Sequence, residues 1–112
     1  MKRLVVLLAA VAAVAATAAI AVPAFAATRT VAVGPQVRFG TSSLTINRGD
    51  TVRFRWTGRL PHNVRISRGP QRGTISRTRT RGIVSRTFTR AGTYAIVCDV
   101  HAPRMRMTLR VR

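Results

Sequence analysis

The chain contains one cysteine, Cys98, and two histidines, His62 and His101. Two residues separate Cys98 from His101 in the run Ala95-Ile-Val-Cys-Asp-Val-His-Ala-Pro-Arg-Met-Arg-Met107, and His62 lies in Leu60-Pro-His-Asn63. Met105 and Met107 follow just beyond the second histidine. A thiolate and two imidazoles, completed by a weak thioether, form the donor set that selects copper and tunes it for carrying single electrons. Taken singly, each residue has a plainer reading. An isolated cysteine is most often a buried structural thiol, a histidine after a proline is a surface residue, and a pair of methionines fills a core. Their joint occurrence points to a metal site instead. A Cys98–His101 nucleophile pair is the enzymatic alternative, but a two-residue spacing within a turn suits shared ligation better than a base poised on its thiol. The chain has no glutamate, and its two aspartates, Asp50 and Asp99, lie in a turn and beside the cysteine. Nothing else suggests catalysis, so the expectation is a protein that is not an enzyme.

The elements that must position these residues all read as strands. Thr30–Val33 is stopped by Gly34-Pro35, and Leu44–Ile46 is followed by the turn Asn47-Arg-Gly-Asp50. Thr51–Trp56 alternates cleanly, Thr57-Gly-Arg59 turns the chain, and Asn63–Ile66 is the next strand. Thr74–Gly82 is polar and arginine-rich, either an edge strand or a mobile segment. Ile83–Phe88, Thr93–Val97 and Met105–Val111 complete the set. Seven to eight short strands with regular turn signals predict an all-β fold, an antiparallel Greek-key sandwich. Tyr94, Ile96 and Cys98 share one parity, so an inward tyrosine carries the thiol inward too. His101 falls in the loop after that strand, Met105 opens the next, and His62 must reach the same end of the sandwich from another loop.

The first 26 residues stand apart from this pattern. Lys2 and Arg3 precede an apolar run from Leu4 to Val22, broken only by Thr17, and Ala24-Phe-Ala26 supplies a small-x-small cleavage pattern. That is the layout of a secretory signal peptide cut after Ala26. An uncleaved membrane anchor is the other reading, disfavoured by the alanine-rich, mildly hydrophobic run. The mature domain is then 27–112, exported to the periplasm or to the extracellular space or cell envelope, and without stable membrane insertion. A lone cysteine in an oxidising compartment is best used as a ligand. The mature part carries 18 arginines against two acids, a net charge of about +16. Charge of that size raises the question of nucleic acid. However, arginines alternate with apolar residues in Val52-Arg-Phe-Arg-Trp56 and in Met105–Arg112. At period two this is the solvated face of a strand, and no nucleic-acid partner is expected.

Gly49-Asp-Thr-Val52, Trp56, Pro61-His-Asn63, Phe88, Ala91-Gly-Thr-Tyr94, Cys98-x-x-His101 and a downstream methionine together resemble the cupredoxins. The likeness is to the plastocyanin, amicyanin and pseudoazurin group of blue copper proteins, and it runs from about Val37 to Val111. It implies one copper held by His62, Cys98 and His101 with a weak axial methionine. In that group two or four residues separate the second histidine from the methionine. Here three separate His101 from Met105 and five separate it from Met107. Met105 is favoured, because Leu109 and Val111 follow it where the group has core residues. The resemblance also implies that Asn63 ties the His62 loop to the Cys98 loop. Asp99 takes the place of a hydroxyl residue and could bond Asn63 or pair with an arginine. The expected function is a monomeric electron carrier that docks a redox partner with an acidic surface at an apolar patch around His101. Leu60, Pro61, Ala102 and Pro103 would form that patch, with Arg59 and Arg104 at its rim. The alternative is a copper-binding or copper-delivery protein without a redox partner.

Overall fold

The clearest strands form where apolar and polar residues alternate, because period two lets a strand bury one face and solvate the other. A computed structural model describes residues 25–112. Apart from its last two residues, the expected signal peptide lies outside the described residues. The strands are β1 (Thr28–Val33), β2 (Ser43–Ile46), β3 (Thr51–Trp56), β4 (His62–Arg68), β5 (Gly73–Arg79), β6 (Ile83–Thr87), β7 (Gly92–Val97) and β8 (Arg106–Val111). They make a three-stranded sheet ordered β1-β3-β6 and a five-stranded sheet ordered β2-β8-β7-β4-β5. The fold is the expected all-β sandwich.

Two pairings are parallel, β1 with β3 and β2 with β8, and the rest are antiparallel. The chain reverses direction at every connection and crosses repeatedly between the sheets. Strands an even number of steps apart therefore run the same way, and closing each sheet on such a pair makes it parallel. The arginine-rich segment after residue 73 is an edge strand, β5, beside β4. Its arginines suit an edge, since charge discourages pairing with another chain.

The core lies between the sheets. Val52, Phe54 and Trp56 point inward from β3 while Arg53 and Arg55 face solvent. On β8, Met107, Leu109 and Val111 are buried and Arg106 and Arg110 are exposed. Tyr94 and Ile96 lie beside them on neighbouring β7, and the Tyr94 hydroxyl donates to the Arg90 carbonyl at 2.6 Å. Tyr94 is thus a structural residue, and its inward parity carries Cys98 into the interior.

Candidate metal centre

His62 is the first residue of β4, and it is fully buried. The Trp56 indole Nε1–H, at the end of β3, donates to the His62 carbonyl at 2.9 Å and fixes the backbone that carries the ring. Cys98 directly follows β7 and is also fully buried. A single 3₁₀ turn, Asp99–His101, then bends the chain so that the His101 N–H donates back to the Cys98 carbonyl at 3.3 Å. Met105 closes this loop. Its N–H donates to the His101 carbonyl at 3.3 Å, and its carbonyl accepts from the Cys98 N–H at 3.0 Å. The strand–loop–strand hairpin therefore brings Cys98, His101 and Met105 to one end of the sandwich, where His62 arrives from the β3–β4 loop.

Three donor atoms converge there. His62 Nδ1 lies 3.1 Å from His101 Nδ1, and Cys98 Sγ lies 3.8 Å from the first and 3.7 Å from the second. Atoms so spaced sit on a circle of radius about 2.1 Å, inside the range of about 2.0–2.3 Å at which imidazole nitrogen and thiolate sulfur hold a transition metal. Two imidazole nitrogens this close repel each other when both present lone pairs, and a cation between them removes the conflict. Burial lowers the pKa of His62, and the neighbouring His101 lowers it further, which keeps the ring neutral and able to ligate. The donor set thus fits the metal the sequence implied.

Met105 is fully buried at the loop's closing residue. Met107 is also buried but sits within β8, opposite Ile96, on the inner face of the five-stranded sheet. Asn63 bridges the two ligand loops, as the resemblance implied: its Oδ1 accepts from the Asp99 N–H at 2.7 Å and its Nδ2 donates to Asp99 Oδ2 at 2.8 Å. Both roles open to Asp99 are realised together. Arg65, one outward position further along β4, donates through Nε to Asp99 Oδ2 at 2.9 Å and through Nη2 to Oδ1 at 2.7 Å. These bonds, Arg65's first and Asn63's second, lower the Asp99 pKa to about 2.

Sequence reasoning missed four contributors. Arg65 was one arginine among many, with nothing to single it out. Gly34 packs so close that a Cβ there would lie 3.2 Å from His62 Nε2 and 2.5 Å from the Thr57 carbonyl. Val100 is 46% exposed beside His101, and Val37 joins His101, Ala102, Pro103 and Arg104 around a shallow depression. The expected patch residues Leu60, Pro61, Ala102 and Pro103 are exposed, as are Arg59 and Arg104. His101 itself is half-buried, whereas His62 is sealed from solvent.

A family profile described as copper binding proteins of the plastocyanin/azurin family matches residues 26–112. No curated protein matches the sequence. Among solved structures, the amicyanin of Paracoccus versutus is 30% identical with a TM-score of 0.65, over 81% of this chain and 85% of that one. A substituted amicyanin in its reduced state is 30% identical with a TM-score of 0.66, over 76% of this chain and 82% of that one. Fold, donor convergence and profile agree on a single copper as the cofactor. The chain belongs to the plastocyanin/azurin family of copper-binding proteins.

Proposed function

We propose that this protein is an exported carrier of single electrons, with His62, Cys98, His101 and Met105 holding its copper. The observation that carries this reading is the convergence of His62 Nδ1, Cys98 Sγ and His101 Nδ1 on one point. Copper bound there supplies a Cu(I)/Cu(II) couple. The protein keeps the donors fixed, so that oxidation and reduction require little rearrangement. Trp56 holds the His62 backbone, and Asn63 with Asp99 locks the Cys98 loop to it. Burial of His62 and Cys98 keeps water from the inner side. His101, half-buried beside Val37, Ala102 and Pro103, is the exit for electrons.

Adding Cu(II) to the purified protein tests the reading. An intense visible band with a narrow copper hyperfine splitting is expected, and Cys98→Ser abolishes the band, because a hydroxyl is a harder, less polarisable ligand. A colourless protein that binds only Cu(I) would favour copper delivery. Met105→Leu retains copper and raises the potential, since a donor that stabilises Cu(II) is lost, whereas Met107→Leu costs stability instead. The reverse pattern would transfer the axial role to Met107.

The partner has an acidic surface and approaches the apolar patch, steered by Arg59 and Arg104 at its rim. Association with the redox partner therefore slows as salt rises, because the field is screened within about 8 Å at physiological ionic strength. Arg59→Glu and Arg104→Glu slow it further without changing the copper spectrum. Rates indifferent to salt and to both reversals would remove the acidic partner.

A further inference from the structure

Asp50 is buried, 6% exposed, in a chain whose arginines far outnumber its acids, yet no arginine donates to it among the described residues. Its carboxylate is spent on main-chain donors instead. Oδ1 accepts from the Ala27 N–H at 2.8 Å, and Oδ2 accepts from the Asn47 N–H at 2.9 Å. The Ala27 carbonyl in turn accepts from the Thr51 N–H at 2.9 Å. Residue 27 is thus gripped on both sides, and the β1–β3 ladder begins on the next residue, where Thr28 pairs with Thr51. Upstream the grip ends: Ala26 is exposed and Phe25 is 90% exposed.

A second, independent observation falls on the same nitrogen. The small-x-small pattern Ala24-Phe-Ala26 marks the Ala26–Ala27 bond for cleavage. We infer that Asp50 is the receptor for the α-ammonium group created when the leader is removed at that bond. Hydrolysis by a signal peptidase breaks the Ala26 carbonyl carbon–Ala27 nitrogen bond. Water adds across it, leaving a carboxylate on Ala26 and an ammonium on Ala27. The single neutral N–H that now faces Asp50 becomes a cation with three donors at the same position. The bond to the carboxylate is already charge-assisted through its acceptor, and a cationic donor adds a direct Coulomb attraction to it. Processing therefore does more than release the domain. It adds a counter-charge in direct contact with Asp50 to the longer-range attraction of Arg29, and pins the first residue of the fold at the end of β3 remote from the candidate metal centre.

The test exploits the composition. Lys2 is the only lysine, so after cleavage the Ala27 α-amine is the only primary amine in the protein. The full chain is expressed in a bacterium that exports it, the exported protein is recovered, and its terminus is read by mass spectrometry. It is then treated with an amine-acylating reagent in native buffer and in denaturant. The expected product begins at Ala27 and takes one acyl group, slowly when folded and rapidly when unfolded. Asp50→Asn accelerates native labelling towards the unfolded rate and leaves the copper spectrum unchanged. A retained leader, a terminus at another residue, or equal labelling rates in the two buffers would overturn the inference. Should Asp50→Asn fail to accumulate, wild-type protein acylated in denaturant and refolded must melt below an unacylated control refolded beside it. Equal melting would equally refute the role. None of these readouts except the spectral control involves copper, so a failure here is separate from a failure of the electron-carrier reading.

Discussion

The two ends of β3 are built in different ways, and each contains one of the chain's two acids. At the start of the strand the ties are mainly backbone to backbone: Gly49 N–H to the Phe88 carbonyl at 2.7 Å, Phe88 N–H to the Asp50 carbonyl at 3.0 Å, and Arg48 N–H to the Arg112 carbonyl at 2.9 Å. Asp50 adds its carboxylate to main-chain donors. At the far end backbone bonds are again present, Trp56 N–H to the Gly82 carbonyl at 2.9 Å and Thr57 N–H to the Val33 carbonyl at 3.0 Å, and side chains add to them: Trp56 to the His62 carbonyl, Asn63 to Asp99, and Arg65 to Asp99. The pKa of each carboxylate is lowered, that of Asp50 by backbone donors from Ala27 and Asn47, and that of Asp99 by Arg65 and Asn63. Neither serves to dilute the positive charge. Each stands where two distant segments must be joined, and the copper end spends its side chains on holding a donor set in place.

The sharpest way to break this contrast uses a glycine from each end. Gly34 and Gly49 both have positive φ, at 99° and 92°. A Cβ at Gly49 meets nothing within 4 Å, so Gly49→Ala bears only the backbone cost of about 1–2 kcal/mol. At Gly34 the same methyl would strike the Thr57 carbonyl at 2.5 Å and crowd His62 Nε2 at 3.2 Å. Overpacking of this kind adds about 1–3 kcal/mol. Thermal or denaturant unfolding should show Gly34→Ala as the greater loss, and only Gly34→Ala should also disturb the copper absorption, through the His62 ring. Equal losses with unchanged colour would mean that the loop around Gly34 yields freely and does not hold His62.

The contrast also explains what could be read from the sequence. His62, Cys98 and His101 were legible because each residue type is rare here, so their spacing carried information. Period-two alternation in Thr51–Trp56 and after Met105 gave the strands and their inward faces for the same local reason. The parallel pairings of β1 with β3 and of β2 with β8 were not legible, because they depend on how often the chain crosses between sheets. Asp50 read only as part of a turn. Its hold on Ala27 spans 23 positions of sequence and exists only once β1 lies beside β3. Arg65 was hidden by abundance. What distinguishes it from other arginines is its register on β4, two residues after Asn63, which turns it to the outward face where Asp99 arrives.

The smallest expected effect concerns that pair. Arg65 and Asp99 are 40% and 45% exposed, so their ion pair contributes little to global stability despite its bidentate geometry. Its consequence should be electrical, because Asp99 directly follows Cys98, the proposed thiolate ligand, and Arg65 neutralises it. Asp99→Asn preserves an acceptor and removes the negative charge, leaving Arg65 unpaired. Cu(II) is then stabilised less, and the reduction potential rises. Arg65→Ala leaves the carboxylate uncompensated, stabilises Cu(II), and lowers the potential. The double variant should return close to the wild-type potential, since both charges are gone. Voltammetry on the four proteins separates this from a purely mechanical role. If the pair acts only by bracing the loop, the two single variants shift the potential in the same direction and the double variant shifts it as far or further. Opposite signs with cancellation would mark the two members of the pair as balanced charges beside Cys98, at the end of the molecule where side chains join the backbone in setting the geometry.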